Sequence, residues 1–288
     1  MNPEKLVAAI MLVSLTLGAG LQINREHLAA TFKNVSLDVR ALFANFIAVP
    51  IYGVLLARAF RLDTAVATGF LLMAIAPGAP FILIGAREKG GRLSLAVLMA
   101  LIFPLVSIVT VPITASIVLP PDQRAHLPIA QFIITLIVMQ LLPLVGGVAI
   151  AQRLPSVAEK IEKPVRLLFY LSIVALIVLL LPMVVSHVHA VYGSNGMLAM
   201  TCIVILSLVT GYLLGGPDQH ERRTLSLGTA LRNIGLCAVV ATTSFGATSL
   251  VTSAVIAYLI VQAVLTTIIG VVFKRAAKAD AVREEPAT

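Results

Sequence analysis

The sequence predicts an all-α polytopic membrane protein of about nine transmembrane helices, and three observations carry the prediction. Hydrophobic residues make up 59% of the 288 positions and charged residues only 12%, so most of the chain cannot face water. The apolar residues gather in runs long enough to cross a hydrocarbon core, for which about 20 helical residues suffice. Finally, the basic residues segregate along the chain in the way that sets membrane topology.

The runs, in order, are 6–23, 41–59, 64–86, 93–119, 127–151, 165–187, 196–215, 224–246 and 249–273. The first is long for a signal-peptide core and lacks an A-x-A-like cleavage site, and three basic residues follow it against one before. It reads as a retained span. With nine spans the termini lie on opposite sides. If the N-terminus is outside, sixteen Lys and Arg fall in inner segments and four (Lys5, Arg58, Arg61 and Arg124) in outer ones. A miscounted span would interleave the two sets. The expected organisation is a single transmembrane domain over 1–273, followed by a short basic cytoplasmic tail at 274–288, in a multi-pass protein of the plasma or inner membrane.

The formal charge of +8 would point to nucleic acid in a soluble protein, but these basic residues lie in short loops and at the C-terminus. Contact with anionic membrane lipid is expected there, and no nucleic acid. Cys202 and Cys237 both lie in apolar runs, as buried structural cysteines do. His187 and His189 form an H-x-H pair that does not put both rings on one helical face.

Two spans are interrupted. In the third, "APGAP" places Pro77, Gly78, Ala79 and Pro80 at mid-span, where two backbone donors are missing, and an unwound segment is expected. In the eighth, Gly228, Thr229, Arg232, Asn233 and Gly235 sit at comparable depth. Spans one to four (about 5–119) and six to nine (about 165–273) form two sets of opposite orientation joined by the span at 127–151. In each set the third member is the broken one. That is the arrangement of inverted-repeat secondary transporters, whose broken helices cross near the bilayer midplane and aim their ends at a substrate.

Arg232 is the one basic residue left inside a span, and the 13 acids all fall in loops or tails on this reading. A mid-membrane arginine costs ~2.5–3.5 kcal/mol on insertion scales, so a use for it is expected. One use is to grip a carboxylate or sulfonate through two parallel hydrogen bonds, next to half-helix N-termini that also favour an anion. The other is structural: a guanidinium capping carbonyls at the helix break. Asn45 and Asn233 admit a similar pair of readings, as site residues or as interhelical amide ties.

These residues resemble the bile acid:sodium symporter family. Pro77-Gly78 resembles its Pro-Gly break, and "LRNIGL" resembles its Q-N-x-G-L segment with Asn233 and Gly235 in register. "LFANFIAVP" resembles a helix with a polar amide shortly before a proline, here Asn45 before Pro50. The resemblance implies ten spans, of which this sequence is expected to lack the first. It also implies sodium coupling, but the acidic residue and glutamine that help hold sodium in the family stand here as Gly228 and Arg232. A Ser-Asn pair stands as Ile82 and Leu83. Sodium requires an oxygen cage and is repelled by a neighbouring fixed cation, so sodium is doubtful and no other cofactor is expected.

The expectation is therefore a secondary transporter that moves a small organic anion by alternating access, with Arg232 supplying permanently the charge that sodium supplies in relatives. Its expected substrate site comprises Asn45, Pro77, Gly78, Ala79, Gly228, Thr229, Arg232 and Asn233. The alternative is a sodium-coupled symporter whose ion has moved to Asn45 and Asn233. A membrane sensor or scaffold stands as the reading from another class. An enzyme is not expected, because the spans offer neither carboxylates nor clustered histidines.

Overall fold

The computed structural model describes residues 2–26, 31, 34–78, 82–83, 92–127, 129–193 and 195–284. Among them, eight helices are long and apolar enough to cross a membrane. In chain order, the helices used below are α1 (Pro3–Leu21), α2 (Val35–Ala59), α3 (Thr64–Ile75), α4 (Leu93–Val118), α5 (Ile129–Arg153), α6 (Pro155–Ser186), α7 (Gly196–Leu214), α8 (Gln219–Ala230), α9 (Ile234–Val240) and α10 (Leu250–Glu284). Helices α8 and α9 are the two parts of one crossing segment, Gln219–Phe245.

Helix α3 begins the third expected span, the one of the nine that is not among these eight. Its 12 residues reach only about 18 Å, short of a hydrocarbon core of about 30 Å. The reason is Pro77: a residue before proline is pushed out of helical geometry, and Ala76 is extended at ψ 96°. Ala79 and Pro80, with most of the second half of that expected span, lie outside the described residues.

Several boundaries differ from the hydropathy reading, the start of α8 at Gln219 among them. Helix α2 starts at Val35 and α6 at Pro155, and α10 continues to Glu284 through most of the expected tail. The added turns are rich in charged residues that form helix well but carry no membrane signal. As a result several acids stand in helices rather than loops, Asp38, Glu159, Glu162 and Glu221 among them. Glu221 is only 4% exposed.

The helices pack as two groups. Helix α1 lies against α5 and α6, while α2, α3, α4, α7, α8, α9 and α10 pack around one another. In the smaller group α1 and α5 cross at Gly20 and Gly147. A Cβ on either glycine would run into the other helix's backbone, so the two main chains touch with no side chain between them. In the larger group the broken segment α8–α9 is central and buried over its whole apolar length. The groups meet where Leu12 of α1 rests on Gly235 of α9, and again where α6 approaches α10.

One end of the bundle holds the starts of α4 and α8 together. Arg92 pairs with Asp218 (3.2 Å) and with Glu221, and its backbone N–H donates to Thr224 Oγ1 at 2.6 Å. Arg222 stacks over Tyr212 there, and Tyr212 stacks on Phe273 of α10. At the opposite end, His187 Nδ1 lies 2.9 Å from Ser253 Oγ, and the His126 and Phe245 rings are 6.1 Å apart.

Candidate functional site

The site is built where α3 ends against the break between α8 and α9. Once Pro77 stops α3, Met73 O still accepts from Ala76 N at 3.3 Å, but the ladder ends there and the last-turn carbonyls are open to other donors. Those donors come from the second break. Arg232 Nε donates to Met73 O (3.1 Å) and its Nη2 to Ala74 O (2.6 Å). Asn233 N donates to Ala76 O (3.3 Å), and Cys237 Sγ to Leu72 O (3.4 Å).

The second break has its own cause. Leu231 leaves helical geometry at ψ 109°, which turns the chain so that the Arg232 backbone N–H meets Gln262 Oε1 of α10 at 2.8 Å. Asn233 then restarts the helix as its N-cap, its Oδ1 accepting from Leu236 N at 3.1 Å. The breaks can approach because Gly78 lies against the backbone of the second break, while Gly228 makes room on its other side for Met99. A Cβ on Gly78 would overlap Gly228 O and lie 3.1 Å from Leu231 O, and one on Gly228 would strike Met99.

Arg232 is 1% exposed, and no carboxylate among the described residues pairs with it. Its remaining N–H groups complete an enclosure. Nη1 donates to Asn45 Oδ1 (3.1 Å) and Thr229 O (3.4 Å), and Nη2 to Asn45 O (3.4 Å). Asn45 lies in a π-helical turn, Ala44–Ala48, a geometry that loosens the usual i to i−4 pairing and leaves a carbonyl to be shared. Its Nδ2 donates to Ala41 O and to Thr229 Oγ1 (3.3 Å), so Oδ1 is presented to the arginine.

Five guanidinium N–H groups thus meet five protein oxygens, all of them neutral. Three belong to the C-terminal turns of α3 and α8, where the helix dipole carries partial negative charge. This corrects the electrostatic direction expected from the sequence, which set the guanidinium beside half-helix N-termini. The break is closed by carbonyls before it is opened by N–H groups, and the cation sits at the carbonyls. Of the two expected uses of Arg232, carbonyl capping is the geometry seen, and no pair of N–H groups is left over for a carboxylate in this conformation.

Of the expected site residues, Asn45, Thr229, Arg232 and Asn233 converge here, and Pro77, Gly78 and Gly228 shape the crossing. Ala79 lies outside the described residues. A cavity of about 410 Å³ adjoins the break between the two helix groups. Its walls include Phe169 and Ile177 of α6, Leu231, Ile234, and the amide and hydroxyl of Gln262 and Thr266. Two buried amides escaped the sequence reading, Gln262 and Gln140, the second accepting from Asn233 Nδ2 at 2.6 Å. Each is a lone polar letter in an apolar run, "LIVMQLLPL" and "LIVQAVL", a signal by which both could have been found.

Comparison with known proteins agrees with this architecture. The chain is 23% identical over 220 residues to mouse P3 protein, covering 74% of this chain and 46% of that protein. It thus spans about half the length of its P3 relatives. It is 23% identical over 247 residues to the rat hepatic sodium/bile acid cotransporter (83% of this chain, 67% of that protein). To the rice chloroplastic "probable sodium/metabolite cotransporter BASS3" it is 24% identical over 250 residues (83% and 57%). The family model described as "Sodium Bile acid symporter family" matches residues 9–194, a stretch that includes Asn45, Pro77 and Gly78, and on that match over well more than half of its length the chain belongs to this family.

Proposed function

We propose that the protein is a secondary transporter that moves a small organic anion by alternating access, with Arg232 as a built-in replacement for a coupling cation. One observation carries the reading: the guanidinium is enclosed by neutral oxygens at the C-terminal ends of two half-helices. An oxygen cage of that kind is what a hard cation requires. Here the charge is covalently attached and cannot leave. A sodium ion at the same place would share its ligands with a fixed positive charge and be repelled by it. The relocated sodium site also loses support, since both oxygens of Asn45 are engaged by Arg232 and Asn233 Oδ1 by Leu236 N.

No carboxylate neutralises Arg232 within the described residues, so the crossing keeps a net positive charge, and in a medium of low dielectric that favours an anion nearby. The adjoining cavity is apolar with a few hydrogen-bonding groups, which suits a molecule with an apolar body and one charged end. In the transport cycle the larger helix group, carrying both breaks as the third members of two inverted repeats, rocks against α1, α5 and α6. The contacts His187–Ser253 and His126–Phe245 lie at one face of the bundle. By the positive-inside rule that face is the outer one, with the N-terminus outside.

Uptake of labelled taurocholate and pyruvate into proteoliposomes, with sodium replaced by potassium, tests the reading. Uptake at an unchanged rate in potassium is expected. Uptake that collapses without sodium rejects the built-in cation.

A further inference from the structure

We infer that Gln140, on the helix group opposite the crossing, is a substrate-binding residue whose side-chain N–H donates to the oxyanion of the carried molecule. The inference rests on the organic-anion reading above and adds to it a contact from the second group.

The argument is one of hydrogen-bond accounting. Gln140 is fully buried in the π-helical turn Leu136–Leu141, midway along the 25-residue α5 and so far from lipid headgroups. Its orientation is dictated by its neighbour. Asn233 must present Oδ1 to Leu236 N to cap α9, which leaves only Nδ2 to face Gln140. Gln140 must therefore answer with Oε1, at 2.6 Å. Its Nε2 is left pointing elsewhere, buried and without a hydrogen-bond partner among the described residues. A donor stranded in this way is unfavourable unless some state of the protein gives it an acceptor. Arg232, next in the chain to Gln140's partner Asn233, bears on which acceptor: its retained positive charge favours an anionic oxygen over a neutral one. A carboxylate or sulfonate lying between the two helix groups would take the Gln140 N–H. Because Gln140 and Asn233 belong to different groups, that contact also reports whether the groups are together, coupling occupancy to their relative position.

Gln140→Glu separates this role from a structural one. The carboxylate still accepts from Asn233 Nδ2, so the tie between the groups is kept, while the donor is exchanged for negative charge. Wild-type and variant proteins in phosphatidylcholine vesicles would be assayed for labelled taurocholate, a sulfonate, and pyruvate, a carboxylate. For whichever probe the wild type carries, Gln140→Glu is expected to raise KM at least about tenfold, with a thermal midpoint within a few degrees of wild type. Its uptake should recover as the pH is lowered and a protonated carboxyl again offers a donor. Gln140→Met, without donor or acceptor, is expected to lose uptake at every pH. A wild-type KM with no pH dependence in Gln140→Glu overturns the inference and leaves the transport reading standing. If the wild type carries neither probe, the anion reading falls and the inference with it.

Discussion

Arg232 at the crossing and Glu221 at the start of α8 are both buried charges, 1% and 4% exposed, and they are stabilised by opposite means. Glu221 meets a formal counter-charge, Arg92, whose side chain is 49% exposed and also reaches Asp218, so its charge is opposed by an ion half in solvent. Among the described residues Arg232 meets only dipoles: two side-chain or backbone oxygens of Asn45 and three carbonyls of half-helix ends. The first arrangement cancels a charge, and the second solvates one without cancelling it. A site intended to attract an anion needs the second, because only there does a net field survive.

Removing the cation breaks the comparison most severely. Arg232→Leu removes the guanidinium from five buried acceptors, of which Met73 O keeps its bond from Ala76 N, and a loss of at least about 3 kcal/mol is expected, seen as failure to purify a monodisperse protein. Arg232→Gln sharpens it further. The amide leaves part of the oxygen cage open, so sodium chloride should raise the thermal midpoint of this variant above that in potassium chloride, while the wild type shows no difference. Equal midpoints in the two salts would mean that the cage cannot accept a free ion.

At the neutral end the effects are smaller. Arg92→Met leaves Glu221 without its partner, but the pair is partly solvated, and a cost of about 1 kcal/mol is expected, shrinking at high ionic strength as screening grows. Chemical denaturation at low and high salt checks this. The smallest change in stability is expected from Asn45→Asp, which gives Arg232 the counter-charge that Glu221 already has. The midpoint should stay within a few degrees, but anion uptake should fall by at least about tenfold as the local field is cancelled. Undiminished uptake in Asn45→Asp would show that the field of Arg232 plays no part in transport.

How legible this was in the sequence depends on whether the determinant has a letter. Pro77 does, and the break at Ala76 follows from proline chemistry alone. Gly78 and Gly228 do, and their close approach is what glycine permits. Long apolar runs gave the crossing helices, though not where charged turns such as those before Arg166 extend them, because helix propensity there exceeds what a membrane signal can report. The partners of Arg232 were mostly illegible: Met73 and Ala74 act through carbonyl oxygens that every residue has. Which end of a half-helix faces the gap depends on three-dimensional crossing, so the sequence left two readings of the guanidinium open, beside half-helix N-termini or capping carbonyls, and could not choose between them. Gln140 was visible as a polar letter, but its one-sided bonding follows from the capping duty of Asn233, a fact of geometry.

The bare contact of Gly20 with Gly147 has a mechanical consequence. Two main chains in van der Waals contact have no rotamers with which to absorb sliding, so α1 and α5 behave as a riveted pair. In the proposed cycle, travel between the halves would fall instead to the seam where Leu12 lies against the smooth face of Gly235. That seam acts as the bearing of the machine, and a bulkier residue at position 235 would seize it while leaving the rivet untouched.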